Sequence, residues 1–178
     1  HGLEISAKQL ENQKGILQSA QNQSMSLDIA ELFSNTEGKV FSGLDLNIQA
    51  QVLNNQNAQL QAVNQLNLKV IQQLNNQQGL IAAQKQLAIQ ANQLNNTQGQ
   101  IASLDDQAHL ELSSINNSSG LVQAVTTLKI QADSIDNQQG KLIAQQDVNL
   151  NSQNAALLNQ SGQISAGRNI QILSHRSE

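Results

Sequence analysis

The 178-residue chain has no cysteine, proline, tryptophan or tyrosine, and its only aromatic residues are Phe33 and Phe41. Without cysteine there are no disulfides and no thiolate chemistry. Without aromatics, the usual source of large buried area is missing, and any core must be filled by Leu, Ile, Val and Ala. Cations are few as well: nine Lys and Arg are scattered along a chain of net charge −4. That excludes a surface built to neutralise phosphates, and with it nucleic acid as a partner. No apolar run approaches the roughly 18 residues needed to span a bilayer, so this segment does not insert into a membrane. The opening HGLEIS has neither the basic nor the apolar region of a signal peptide. His1-Gly2 reads as a cloning remnant, and residues 1–178 as one repeat array excerpted from a longer protein.

What the chain has in excess is carboxamide, with 22 Asn and 32 Gln. Tracts this rich in Asn and Gln are often disordered. Here, however, 38% of residues are apolar, and they fall in a regular pattern. LNNQQGLI (74–81) returns as LNNTQGQI (94–101), INNSSGLV (115–122) and IDNQQGKL (135–142). An apolar anchor opens each copy: Leu10, Phe33, Leu53, Leu74, Leu94, Ile115, Ile135 and Leu157. Two residues on stands an unbroken column of asparagines: Asn12, Asn35, Asn55, Asn76, Asn96, Asn117, Asn137 and Asn159. Five residues after the anchor come Gly15, Gly38, Ala58, Gly79, Gly99, Gly120, Gly140 and Gly162. Successive members of this last column lie 23, 20, 21, 20, 21, 20 and 22 residues apart.

Between the copies runs an alternating apolar pair, such as Leu46/Ile48, Leu66/Leu68, Leu87/Ile89 and Leu128/Ile130. Two coils depart. After Gly15 the pair reads as Leu27/Ile29, with residues inserted around 18–24, and after Gly99 it slips by one to Ala108/Leu110. Period-two alternation is a strand signal. A coiled coil would need repeated stutters to follow so uneven a period. It would also carry a mid-helix glycine in almost every repeat, at roughly 1 kcal/mol each. The pattern predicts an all-β parallel β-helix, a solenoid of about eight coils of about 21 residues, with three short strands per coil. Each asparagine is expected to hydrogen-bond to its equivalent one coil away, forming a structural ladder. Each glycine is expected at a bend that requires either positive φ or close backbone approach.

Candidate chemistry is sparse. His109, beside Leu110 and Glu111, reads as a surface residue. Asp105-Asp106 reads as a solvated turn, because adjacent carboxylates on a strand diverge. Five N-x-S/T acceptor patterns, at Asn22, Asn95, Asn116, Asn117 and Asn159, are expected by chance in so Asn-rich a chain. There is no phosphate loop, HExxH or nucleophile elbow. No catalytic, cofactor-binding or metal-ligating residue is assigned, and the chain is not read as an enzyme. Departures from the repeat are the places to look for binding: 18–24, the Phe33–Phe41 coil and 151–156.

SIDNQQGKLIAQQDVNLNSQ (134–153) and LNQSGQISAGRNIQI (158–172) resemble the repeats of filamentous haemagglutinin and its relatives, and the likeness extends over about residues 3–172. It implies a right-handed parallel β-helix in a two-partner-secretion exoprotein, secreted onto a Gram-negative cell surface. Its partner in export would be an outer-membrane transporter, and the absence of cysteine suits a chain threaded through such a pore. Exoproteins of this kind include adhesins and contact-dependent growth inhibition proteins. The resemblance therefore implies a structural rod projecting a distal receptor-binding, adhesive or toxin region. The alternative is that the repeats themselves adhere to a cell-surface receptor on a host or bacterium. Polysaccharide enzymes also use β-helices, but this chain lacks the clustered charges and aromatic platforms they need. Exposed strand edges at the two ends of such an array lead us to expect end-to-end self-association as well.

Overall fold

A computed structural model describes residues 2–152, 155 and 157–174. The chain folds as a parallel β-solenoid of about eight coils and contains no helix among the described residues. Its strands form two sheets, and every strand pair is parallel. The smaller sheet stacks eight short strands, from Ile16–Gln18 to Gln163–Ala166. The larger runs from Leu3–Glu11 to Asn169–Ser174.

Two of the three segments expected in each coil are joined. Leu46–Asn54, Leu66–Asn75 and Leu87–Asn95 are continuous strands that bend in the middle, the inward residues before the bend packing on one wall and those after it on the next. Only Thr127–Ala132 and Ser134–Asp136, and then Asp147–Ser152 and Leu157–Leu158, are separated at the bend.

Alternation along each strand fills the core. Met25, Leu46, Leu66, Leu87, Ala108, Leu128 and Val148 stack in one column, and Leu27, Ile48, Leu68, Ile89, Leu110, Ile130 and Leu150 in the next. All of these are buried. Phe33 occupies a site filled by Leu53, Leu74 and Leu94 in later coils and is fully buried. The sequence reading is corrected in one coil: Met25 pairs with Leu46 and Leu27 with Ile48, so the alternating pair after Gly15 is Met25/Leu27 rather than Leu27/Ile29. The slip to Ala108/Leu110 is present, with Ala108 opposite Leu87 and Leu110 opposite Ile89.

The register also explains the uneven period. The shortest coils have 20 residues between equivalent corners, and every longer coil carries its surplus at a bend or turn. Ala30-Glu31 face the single Gln51, and Ile71-Gln72 face the same residue from the other side, so each pair is a β-bulge holding one extra residue. The Asp105-Asp106 turn holds one more. The 18–24 turn holds two, and two lie between Ser152 and Leu157. Insertions therefore never displace the rungs.

The columns predict how stability is distributed. Leu74→Ala, in a fully buried interior rung, is expected to cost about 2–5 kcal/mol in urea denaturation. Ile172→Ala, in a terminal rung where the side chain is 44% exposed, is expected to cost well under half of that.

Candidate functional site: the asparagine corner and the outer faces

Each repeat of the L-N-N-x-x-G motif builds one corner of the solenoid, and each position has its own task. The first carboxamide closes a local turn. Oδ1 of Asn54, Asn75, Asn95 and Asn116, and of Asp136 in the next coil, accepts from the backbone N–H two residues on, at 2.9–3.1 Å.

The second asparagine points inward. Nδ2 of Asn12 donates to Oδ1 of Asn35 at 2.8 Å, Asn35 to Asn55 at 2.9 Å and Asn55 to Asn76 at 2.8 Å. Asn76 donates to Asn96, Asn96 to Asn117, Asn117 to Asn137 and Asn137 to Asn159, each at 2.7 Å. All eight residues of the column are joined in one chain of hydrogen bonds. The six from Asn35 to Asn137 have no solvent exposure. Their second amide proton is directed at backbone carbonyls. That of Asn96, for example, lies 3.3 Å from both the Gly99 and Leu121 oxygens. A buried amide left without partners is costly, and here each interior amide is used on both sides.

The next conformational demand falls on the residue before glycine. Lys14, Glu37, Asn57, Gln78, Gln98, Ser119, Gln139 and Ser161 all have φ between 53° and 57°, and no glycine has positive φ. Of the two demands expected at the glycine column, positive φ thus falls one residue earlier, and close backbone approach is the one the glycines meet. The strain of the positive φ is offset because the first seven of these residues donate their N–H across to the following coil, as Gln98 does to Ser118 O at 3.1 Å.

Glycine follows for lack of space. A Cβ on Gly38, Gly79, Gly99, Gly120, Gly140 or Gly162 would lie 2.1–2.2 Å from the backbone oxygen of the ladder asparagine one coil back. Gly15, in the first coil, would meet its own Asn12 Oδ1 at 2.4 Å. At the one exception, Ala58, the corner is looser: its N–H reaches Asn55 O at 3.3 Å, against 2.7–3.0 Å at the seven glycines.

Two features of the corners have weaker signals in the sequence. Asn75 donates to Asn54, and Asn95 to Asn75, forming a short outer ladder at 3.3 and 3.2 Å. The doubled N-N of the motif is its trace. At the far end of the small-sheet strands, buried Ser19, Ser42 and Ser103 donate to backbone carbonyls of Gln23, Asp45 and Lys85 respectively. Alanines take the same position in the other coils, so only the alternation of Ser with Ala marks it.

The outer faces are shallow and largely neutral. A groove of about 510 Å³ runs along the long sheet, lined by outward residues including Asn47, Gln49, Asn67, Lys69, His109 and Glu111. His109 is partly exposed, with Nε2 3.4 Å from Glu111 and 3.4 Å from Gln131. Asp105 and Asp106 are held apart. Gln84 donates to Asp105 at 2.7 Å from the preceding coil, and Thr126 donates to Asp106 at 3.1 Å from the following one. Phe41 projects outward from the small sheet and is half-buried beside Val63 and Leu104. The 18–24 segment is a turn exposed at Ala20–Asn22 and pinned to the next coil by the Asn22 N–H to Gly43 O bond of 3.1 Å. Residues 153, 154 and 156 of the 151–156 departure lie outside the described residues. No group of three His, Cys, Asp or Glu side chains able to hold a metal occurs among the described residues.

One carboxylate has a resolved perturbation. A hydrogen bond from Asn169, followed by a hydrogen bond and charge from Arg168, holds the Asp147 carboxyl below its ordinary value.

A family model described as Haemagglutinin repeat matches residues 1–27, 26–77, 64–114, 107–156 and 147–177. The chain belongs to the haemagglutinin repeat family. Searches of curated proteins and of solved structures return no match. Haemagglutinin repeats are of a structural or adhesin kind, typical of secreted, surface-associated proteins.

Three measurements test the corner. Asn96→Ala leaves Asn76 and Asn117 without their shared partner and is expected to cost about 1–3 kcal/mol. Asn12→Ala, at the end of the ladder, is expected to cost less; equal losses in denaturation would argue against a connected ladder. Gly99→Ala drives a methyl into Asn76 O and is expected to destabilise by about 1–3 kcal/mol. For Asp147, carboxyl titration by NMR should give a midpoint below the ordinary carboxylate value, and Asn169→Ala should raise it. Because the folded value is the lower one, this group's contribution to stability is present above the unfolded pKa and is lost as pH falls through the folded one.

Proposed function

We propose that this segment is the extended rod of a secreted bacterial surface exoprotein and holds a distal receptor-binding, adhesive or toxin region away from the membrane. The observation that carries this reading is the unbroken stacking of the corners. Seven linked amide bonds extend from Asn12 to Asn159, and no coil interrupts them to build something else. A spacer needs length. At about 4.8 Å per rung the described coils extend roughly 40 Å.

The outer faces support the same reading. Interaction hot spots favour Trp, Tyr and Arg, whereas this surface is mostly neutral carboxamide with half-buried Phe41 as its one outward aromatic. Weak surface charge also gives little electrostatic steering toward a partner. Export through an outer-membrane transporter of two-partner secretion, and carriage of either an adhesin or a growth-inhibition toxin, belong to this proposal through family membership.

A second reading, in which the repeats themselves adhere, rests on the groove along the long sheet and on the outward placement of Phe41 and the 18–24 turn. Binding of the purified chain to glycan arrays and to host or bacterial cells separates the two. The rod reading expects no saturable binding. Saturable binding in the low micromolar range, abolished by Phe41→Ala or by deleting 18–24, would establish the adhesive module instead.

A further inference from the structure

Once folded, the five N-x-S/T patterns are not equivalent. Asn117 and Asn159 belong to the inner ladder, where their Oδ1 atoms accept from Asn96 and Asn137, and Asn117 is fully buried. Asn22 is exposed, but it lies in the left-handed region at φ 58° and its side chain takes no bond from the Ser24 N–H. In Asn95 and Asn116, by contrast, Oδ1 accepts from the backbone N–H two residues on, that of Thr97 at 3.1 Å and that of Ser118 at 2.9 Å. Such a turn fixes the carboxamide and sets it beside the hydroxyl residue that completes the pattern.

The two differ at nitrogen, and the cause is Thr97. A carboxamide oxygen has two lone pairs. Oδ1 of Asn54 accepts from Gln56 N–H and Asn75 Nδ2, and Oδ1 of Asn75 from Gln77 N–H and Asn95 Nδ2. At Asn95 the second place is filled by Thr97 Oγ1, which donates at 2.7 Å. Nothing is left there for Asn116, and the outer ladder stops. Asp136, next in the column, takes no bond from Asn116 either. Asn116 is therefore exposed, with its oxygen held and its Nδ2 unbonded among the described residues. The hydroxyl of partly exposed Ser118 is unbonded as well.

We infer that Asn116 Nδ2 is the acceptor of an N-linked sugar. The donor is a sugar with a phosphate or diphosphate leaving group on its anomeric carbon, presented by a glycosyltransferase. Nδ2 attacks that carbon: the N–C bond forms, the C–O bond to phosphate breaks, and the phosphate departs with the electron pair. One amide proton passes to a base of the transferase, and the product keeps the other. The Ser118 N–H on Oδ1 draws charge from the nitrogen and eases loss of that proton. The sugar stands on the outer corner, clear of the core and of the inner ladder.

The test applies to the folded chain a soluble asparagine glycosyltransferase that modifies the free peptide SSINNSSGL (113–121) with UDP-glucose, and locates the product by fragmentation mass spectrometry. The chain is expected to gain one hexose, on Asn116, and none at the other four patterns. Asn116→Gln and Ser118→Ala should abolish the product while circular dichroism stays close to wild type. Thr97→Val separates the inference from a sequence motif acting alone. It leaves residues 116–118 intact but returns a lone pair to Asn95 Oδ1, so that Asn116 joins the outer ladder and its initial rate of modification should fall about fivefold. Protein recovered from the producing cells should carry its sugar at the same residue. A folded chain unmodified at Asn116, equal addition at Asn95, a Thr97→Val rate equal to wild type, or a bare Asn116 in protein from the producing cells would overturn the proposal.

Discussion

A buried carboxamide has more hydrogen-bonding capacity than its own coil can satisfy. In this chain an identical carboxamide one rung away supplies the missing donor or acceptor, and that requirement organises the rest. It fixes the rise between coils, since Oδ1 and Nδ2 must come within 2.7–2.9 Å. It brings the backbone of successive corners so close that a Cβ has no space, which is why glycine follows three residues later. The left-handed residue between them turns the chain into the next strand and ties its own N–H to the neighbouring coil. With almost no aromatic area to bury, the core is narrow and aliphatic, and the corner supplies the directional order that Leu–Ile packing cannot.

Much of this was legible because a solenoid writes its structure repeatedly. Strand alternation, eight corners and the aligned asparagines all follow from spacing, since each coil samples the same environment. The failures have physical causes. The pattern points to Leu27/Ile29 rather than Met25/Leu27 because a thioether is a weaker strand signal than a β-branched or leucine pair, and because the two-residue insertion in the 18–24 turn and the bulge at Ala30-Glu31 lie on either side of Met25. Glycine is needed at the corner for close backbone approach, one of the two demands expected of it, whereas the positive φ falls one residue earlier. That site carries Lys, Glu, Asn, Gln or Ser, a mixture with no compositional mark. There, solvent accommodates the side chain while the neighbouring coil holds the backbone. The joining of two strands through a bend also has no signature in a two-residue period.

Charge is distributed unevenly. The ion pairs Lys8–Glu31 and Lys14–Glu37 link the first two coils, and Arg168–Asp147 links the last two of the described ladder. Between them the outward columns are mostly Asn, Gln, Ser and small apolar residues, and the pair His109–Glu111 lies within one interior coil. These exposed pairs add little stability individually. In the middle coils some outward carboxamides bond to identical groups one coil away, as in Asn47–Asn67 and Gln78–Gln98.

The interlocking of each corner with its neighbours has a genetic side. Glycine of one coil fits against asparagine of the coil before it, and the same fit recurs at six of the seven steps. Any coil is therefore shaped to sit on almost any other. A recombination event that deletes or duplicates a stretch from one glycine to another joins two surfaces that already match. The interior of the rod can change length by whole repeats without a new interface having to evolve. The two cut points need only be equivalent positions of the repeat, so that each retained asparagine still meets another.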